Sequence, residues 1–179
     1  MTLPLTAMEI VARDLAVRAH GDQKYDSGAA PYVVHLAAVR DALVEFGWGK
    51  TPAEEDLLVA AWLHDVLEDT KTSDSEIDLQ FGPNVFSLVW AVTGVGKNRV
   101  ERSDDAGRKM QDFPDSIVLK LADRLSNGRA SKKSSPDKLF KMYRSEHAAF
   151  KAKLFAACPK DPRALAMWVA LEKLFVEET

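Results

Sequence analysis

The chain is poor in sulfur chemistry: Cys158 is its only cysteine among 179 residues. That excludes an intrachain disulfide framework and fits a reducing compartment. Positive charge is not in excess either. The net charge is −3, so no global basic field gathers nucleic acid or an anionic membrane surface, and neither is expected as a partner. Uninterrupted apolar runs stay short of the roughly 20 residues a membrane span needs. The opening MTLPLTAMEI lacks the basic flank and long apolar run of a signal peptide. Repeats, low-complexity tracts and convincing two-residue alternation are all missing. The expectation is a soluble cytoplasmic protein.

What remains is helical periodicity nearly throughout, in a chain that is 46% apolar and so has material for a sizeable core. Thr6-Ala-Met-Glu9 has capping-box spacing and starts a helix to about His20. GDQKYDSGAA reads as a loop. Pro31 opens PYVVHLAAVRDALVEFG, with Gly47 as a C-cap. Thr51, Pro52 and Glu54 start a helix expected to run unbroken to about Asp69. SDSEIDLQFG and PNVFSLVWAVTG read as short helices closed by Gly82 and Gly94. VGKNRVERSDDAG reads as a mobile loop. Asp115 or Ser116 caps SIVLKLADRLSN, after which Gly128 breaks the pattern. Pro136 and Asp161-Pro162 start the last two helices. The architecture expected is a single all-α domain over 1–179, a bundle of about eight to ten helices.

The chemistry concentrates in AAWLHDVLEDTKT, residues 60–72. On a helix, His64, Asp65, Glu68 and Asp69 fall within an arc of about 140°. Positions 57–67 are otherwise Leu, Val, Ala and Trp nearly all round, and a helix apolar all round is buried. Buried carboxylates are costly unless paired or bound to a cation. His64 and Asp65 could supply two metal ligands. His35, mid-way along YVVHLAAV, and Asp123, inside IVLKLADRL, are candidates for the rest. Such a mixed set suits Mn²⁺, Fe²⁺ or Zn²⁺ better than Ca²⁺. Plainer readings stand beside each: His35 as a hydrogen-bonded core residue, Asp123 as the salt-bridge partner of Arg124, Glu68-Asp69 as a solvated helix end. Trp168 and Phe175 are candidates for a homo-oligomer contact or for core packing. His20 and His147 read as structural or surface residues.

The order His35, His64-Asp65, Asp123 resembles the HD-domain metal-dependent phosphohydrolases. PYVVHLAAV, LLVAAWLHDVLEDT, EIDLQFGPNVFSLVWAVTG and IVLKLADRLSNGR together resemble the hydrolase domain of RelA/SpoT proteins, with the stand-alone small alarmone hydrolases matching in size. The motifs lie within residues 7–130, and 136–177 would be packing helices. The resemblance implies an all-α bundle and Mn²⁺ as cofactor, with Fe²⁺, Zn²⁺ or Co²⁺ as alternatives. It implies hydrolytic removal of the 3′-pyrophosphate from (p)ppGpp. His35, His64, Asp65 and Asp123 would hold the metal, and Glu68 and Asp69 would position or activate the attacking water. Asn127 would contact the nucleotide near its ribose, and Arg124 sits where the family has Arg or Lys. Basic residues for the phosphates would be Lys97, Arg99 and Arg102, with Lys109 and Arg129 as further candidates.

One loop departs from that pattern. Where the family carries Arg-Lys before a small residue and Gly, this chain reads Lys24-Tyr25-Asp26-Ser27-Gly28. Tyr25 offers a ring in place of a cation, and Lys24 is a basic substitute in a shifted register. Lys24, Tyr25 and Ser27 are therefore the expected base-side contacts, with adenine alarmones such as (p)ppApp as rivals to guanine ones. Two other functions stay open: an HD-domain phosphatase on another nucleotide, of 5′-nucleotidase or NADPH 2′-phosphatase type, and a non-catalytic nucleotide-sensing module.

Overall fold

The computed structural model describes residues 3–25, 30–134 and 136–175. Helix α1 (Ala7–His20) is followed by α2 (Val33–Glu45), α3 (Pro52–Leu63) and the single turn α4 (Val66–Asp69). Then come α5 (Asp74–Phe81), α6 (Pro83–Val92), α7 (Arg99–Asp112) and α8 (Asp115–Ser134). A π-helical turn over Pro136–Phe140 leads into α9 (Lys141–Leu154), and α10 (Pro162–Phe175) ends the described chain. The fold is all-α, as expected, apart from a two-residue antiparallel hairpin of β1 (Lys24–Tyr25) and β2 (Ala30–Pro31). No helix among the described residues is long and apolar enough to cross a membrane.

Capping fixes the helix starts. Thr6 Oγ1 accepts from the Glu9 amide while the Glu9 carboxylate accepts from the Thr6 amide, which satisfies two otherwise orphaned donors. Glu9 does more than cap. Fully buried, it also accepts from Arg40 Nε at 2.7 Å and Trp62 Nε1 at 3.3 Å, tying α1 to α2 and α3. Thr51 caps α3, and every residue from Leu57 to Leu63 is buried, so α3 is the hub on which α1, α2, α6 and α8 pack. Helix α8 packs in turn on α2 and α10.

Four sequence expectations change. The helix from Pro52 does not reach Asp69 unbroken: it stops at Leu63, and His64 and Asp65 form a turn before α4. Asp65, at φ −105° and ψ −5°, lies near the bridge region where many active-site residues sit. VGKNRVERSDDAG is not a mobile loop past Asn98. Asn98 caps α7 by accepting from the Glu101 amide at 3.0 Å, and Ala106, Gly107 and Met110 are buried. Gly128 does not break α8; it lets α10 approach, since a Cβ there would lie 2.6 Å from Phe175 Cζ. The loop after α1 contains the small hairpin, too short for alternation to register. Trp168 and Phe175, each 2% exposed, belong to the core of this chain rather than to a surface a second copy could reach.

Candidate active site

His35 comes from α2, His64 and Asp65 from the turn after α3, and Asp123 from the middle of α8. Packing of these three segments brings the side chains together at one point. His35 Nε2 and His64 Nε2 are 3.2 Å apart. Asp65 Oδ2 lies 3.0 Å from His64 Nε2 and 3.5 Å from His35 Nε2. Asp123 Oδ1 lies 3.4 Å from His35 Nε2 and 3.8 Å from His64 Nε2. Bonds of about 2.1 Å to a common ion place ligand atoms about 3.0–3.4 Å apart, close to what is observed. His35, His64 and Asp123 also form a group of buried potential ligands with their donor atoms within 4.8 Å of one another.

The orientation of each of these side chains is fixed from behind. His64 Nδ1 lies 2.9 Å from the Ala61 carbonyl, and a carbonyl only accepts. Nδ1 therefore carries the proton and Nε2 presents its lone pair to the centre. Ser126 Oγ stands 3.5 Å behind His35 Nδ1. The Tyr32 hydroxyl donates to Asp65 Oδ2 at 2.6 Å. Burial first, then the charge and hydrogen bond of Asp65, hold this phenol well above its ordinary pKa, so it remains a donor. Asp123 is held by Asn127 Nδ2 on Oδ1 and by Lys120 Nζ, 2.8 Å from Oδ2.

The electrostatics call for positive charge at the centre. Burial alone would lower the His35 imidazole, but hydrogen bonds to Asp123 and Asp65 outweigh it and raise its pKa to about 9. Burial opposes ionisation of Asp65 and Asp123 too. It is outweighed by His64 and His35 at Asp65, and by Lys120 and the two histidines at Asp123, so both carboxyls stay below their usual range. Two carboxylates and two imidazole nitrogens on one point are a donor set for a hard or borderline divalent cation.

Glu68 and Asp69 lie beyond this cluster on α4. Glu68 accepts from the Gly94 amide at 3.1 Å and pairs with Arg102 Nε at 3.2 Å. Asp69 accepts from Gln23 Nε2 at 3.0 Å. Both acids line a cleft of about 480 Å³ with Trp90, Gly94, Gly96 and Arg102. Lys97 is exposed on the loop beside Gly96. Lys109 lies across the Trp90 ring at 3.7 Å and donates to the Thr93 carbonyl. A larger groove, about 920 Å³, lies near the other end of α3 around Trp48, Leu88 and Phe113, and none of the site candidates lines it.

The remaining candidates divide. The Tyr25 ring lies parallel to His35 at 4.7 Å, and its hydroxyl donates to Asn127 Oδ1 at 3.0 Å, so both join the centre. Lys24 is exposed on β1. Ser27, with Asp26 and Gly28, lies outside the described residues. Arg129 pairs with Glu45 at 2.6 Å, and Arg99 with Glu146 at 3.0 Å. Arg124 turns away from the centre: it donates to the Tyr143 carbonyl and lies 4.4 Å from the Phe150 ring centroid, in the packing of the C-terminal helices. It is not the salt-bridge partner of Asp123, a place taken by Lys120. Sequence reasoning missed Lys120, Tyr32 and Ser126. Only Lys120 carried a signal, its i, i+3 spacing to Asp123 on one helix face.

A helical scaffold that converges two imidazoles and two carboxylates from two helices and an interhelical turn, with an acidic pair one turn beyond, defines a class of helical domain with a candidate metal centre. A family model described as HD domain matches residues 12–156, and the chain belongs to that family. It is 38% identical over 121 residues to a guanosine-3′,5′-bis(diphosphate) 3′-pyrophosphohydrolase of Aquifex aeolicus, covering 65% of this chain and 16% of that protein. It is 36% identical over 138 residues to the bifunctional (p)ppGpp synthase/hydrolase SpoT of Escherichia coli K12, covering 72% of this chain and 18% of that protein. The chain thus spans less than a fifth of the length of either relative. A solved structure described as a metazoan ortholog of SpoT that hydrolyzes ppGpp superposes with a TM-score of 0.75 at 27% identity, over 98% of this chain and 97% of that one.

Proposed function

We propose that the chain is a metal-dependent hydrolase that removes the 3′-pyrophosphate from (p)ppGpp-type nucleotides. The observation that carries this is the convergence of His35, His64, Asp65 and Asp123, with Glu68 and Asp69 beyond them facing one cleft. The printed activities of the relatives and of the structural neighbour support the same substrate class.

His35, His64, Asp65 and Asp123 would hold the cation, with Mn²⁺ the ion favoured. Such an ion polarises a phosphoryl oxygen and lowers the pKa of water when bound. Tyr32, Ser126, Lys120 and Asn127 keep the ligands oriented. Glu68 and Asp69 orient the attacking water and accept its proton. Arg102 and Lys97, on the α6–α7 side of the cleft, meet the pyrophosphate charge. Tyr25 stands in for the missing Arg on the base side, with Lys24 beside it. This substitution supports a base preference displaced from guanine toward adenine.

Product identification tests the reading. The Mn²⁺-loaded protein is given ppGpp, ppApp and NADPH side by side. Pyrophosphate from either alarmone is the expected result. Orthophosphate alone would mean a phosphatase on another nucleotide, and binding without turnover a sensing module. A strong preference for ppGpp over ppApp would end the adenine proposal.

A further inference from the structure

Gln23 and His20 are neither metal ligands nor assigned to the substrate, yet both lead to Asp69. Gln23 Nε2 donates to Asp69 Oδ2 at 3.0 Å, and His20 Nδ1 lies 2.8 Å from Gln23 Oε1. Hydrogen-bond logic fixes the direction. A carboxylate accepts, so the Gln23 atom facing Asp69 is the amide nitrogen. The atom facing His20 is then the carbonyl oxygen, which requires the proton on His20 Nδ1. His20 is 7% exposed and stacks on Tyr32, with ring centroids 4.4 Å apart. Tyr32 is the same ring whose hydroxyl holds Asp65.

The Gln23 backbone is held from both sides. Its amide donates to the His20 carbonyl at 3.0 Å, and its carbonyl accepts from the Tyr32 amide at 3.1 Å. Gly21, which ends α1 at φ +53° and ψ −123°, takes a backbone conformation that glycine adopts without steric cost.

We propose that His20 and Gln23 are positioning residues for Asp69. His20 sets the Gln23 amide, Gln23 fixes Asp69 Oδ2, and Asp69 Oδ1, which has no partner among the described residues, is presented to the attacking water. This rests on the reading of Asp69 as a water-handling acid. A merely structural tie between α1 and α4 would predict something different: lost stability, but no coupling in turnover.

The test uses the Mn²⁺-loaded protein and ppGpp, with Gln23→Met, Asp69→Asn and the double variant. Gln23→Met is expected to lower kcat about 10–100-fold, with KM and bound metal unchanged. The double variant is expected to be no slower than Asp69→Asn alone, because both changes act through one carboxylate. His20→Phe, which keeps the stack on Tyr32 and removes the Nδ1 donor, should lower kcat in the same way. If Gln23→Met does not fold, His20→Phe with and without Asp69→Asn makes the same comparison. Losses that multiply in the double variant, or a raised KM at unchanged kcat, would overturn the proposal while leaving the hydrolase reading intact. A metal-loaded wild-type protein without turnover would overturn the hydrolase reading and the positioning role with it.

Discussion

At the scale of single residues, the two carboxylates proposed to bind the cation are held in different ways. Asp123 is 6% exposed and boxed in by Lys120 and Asn127, whereas Asp65 is partly exposed and braced by one phenol. Replacing Asp123 with Asn removes a charged donor from a buried set and leaves the Lys120 ammonium without its partner. Bound metal, measured by elemental analysis, and turnover are expected to disappear together. Tyr32→Phe removes only the brace on Asp65. Metal affinity or activity should fall about 10–100-fold, to be read by metal titration and by kcat on the loaded protein. Glu68→Gln preserves size and the contact to the Gly94 amide but removes the charge. It should leave metal content unchanged and lower kcat about 10²–10⁴-fold. That His35, His64, Asp65 and Asp123 have reason to meet was legible in the sequence, because His and Asp inside apolar helical runs are anomalies that burial makes costly. Tyr32 and Ser126 were not, because a Tyr or Ser beside apolar neighbours violates no rule.

At the scale of elements, α8 and α7 show what local pattern can mislead. Gly128 reads as a helix stop, yet α8 runs through it, and its place there is steric: Phe175 and Leu174 of α10 occupy the space a side chain would need. Gly128→Ala improves intrinsic helix propensity by roughly 1 kcal/mol. It is nevertheless expected to destabilise the protein by about 1–3 kcal/mol through overpacking, measured as a shift in denaturant midpoint. In α7, charge and glycine suggested mobility, but a capped start and the buried Ala106 and Met110 hold the helix down. Asn98→Ala should cost about 1 kcal/mol. The break between α3 and α4 was hidden for another reason. LHDVLED is good helix sequence, and nothing local marks the turn at His64-Asp65. Adjacent residues on an ideal helix diverge by about 100°, and the turn is what aims both at one centre.

At the scale of the whole molecule, the centre is also a joint between helices. The His35, His64-Asp65 and Asp123 segments are far apart in sequence, so an ion that binds all three binds only the folded chain. Chelation should therefore lower the thermal midpoint, by an amount equivalent to about 2.7 kcal/mol when the free ion had been at 100 times its Kd. Calorimetry with and without a chelator checks this. The sequence by itself determined the helical class, most helix starts, and the residues with chemical reason to meet. Capping and apolar periodicity are local, and a buried charge is conspicuous wherever it stands. Only the tertiary structure decided how those residues are aimed: the turn at His64-Asp65, Tyr32 behind Asp65, Lys120 beside Asp123, Arg124 turned into the C-terminal helices. These depend on which helix faces pack together. Side-chain direction at such a junction is set by neighbours tens of residues away, which no local pattern encodes.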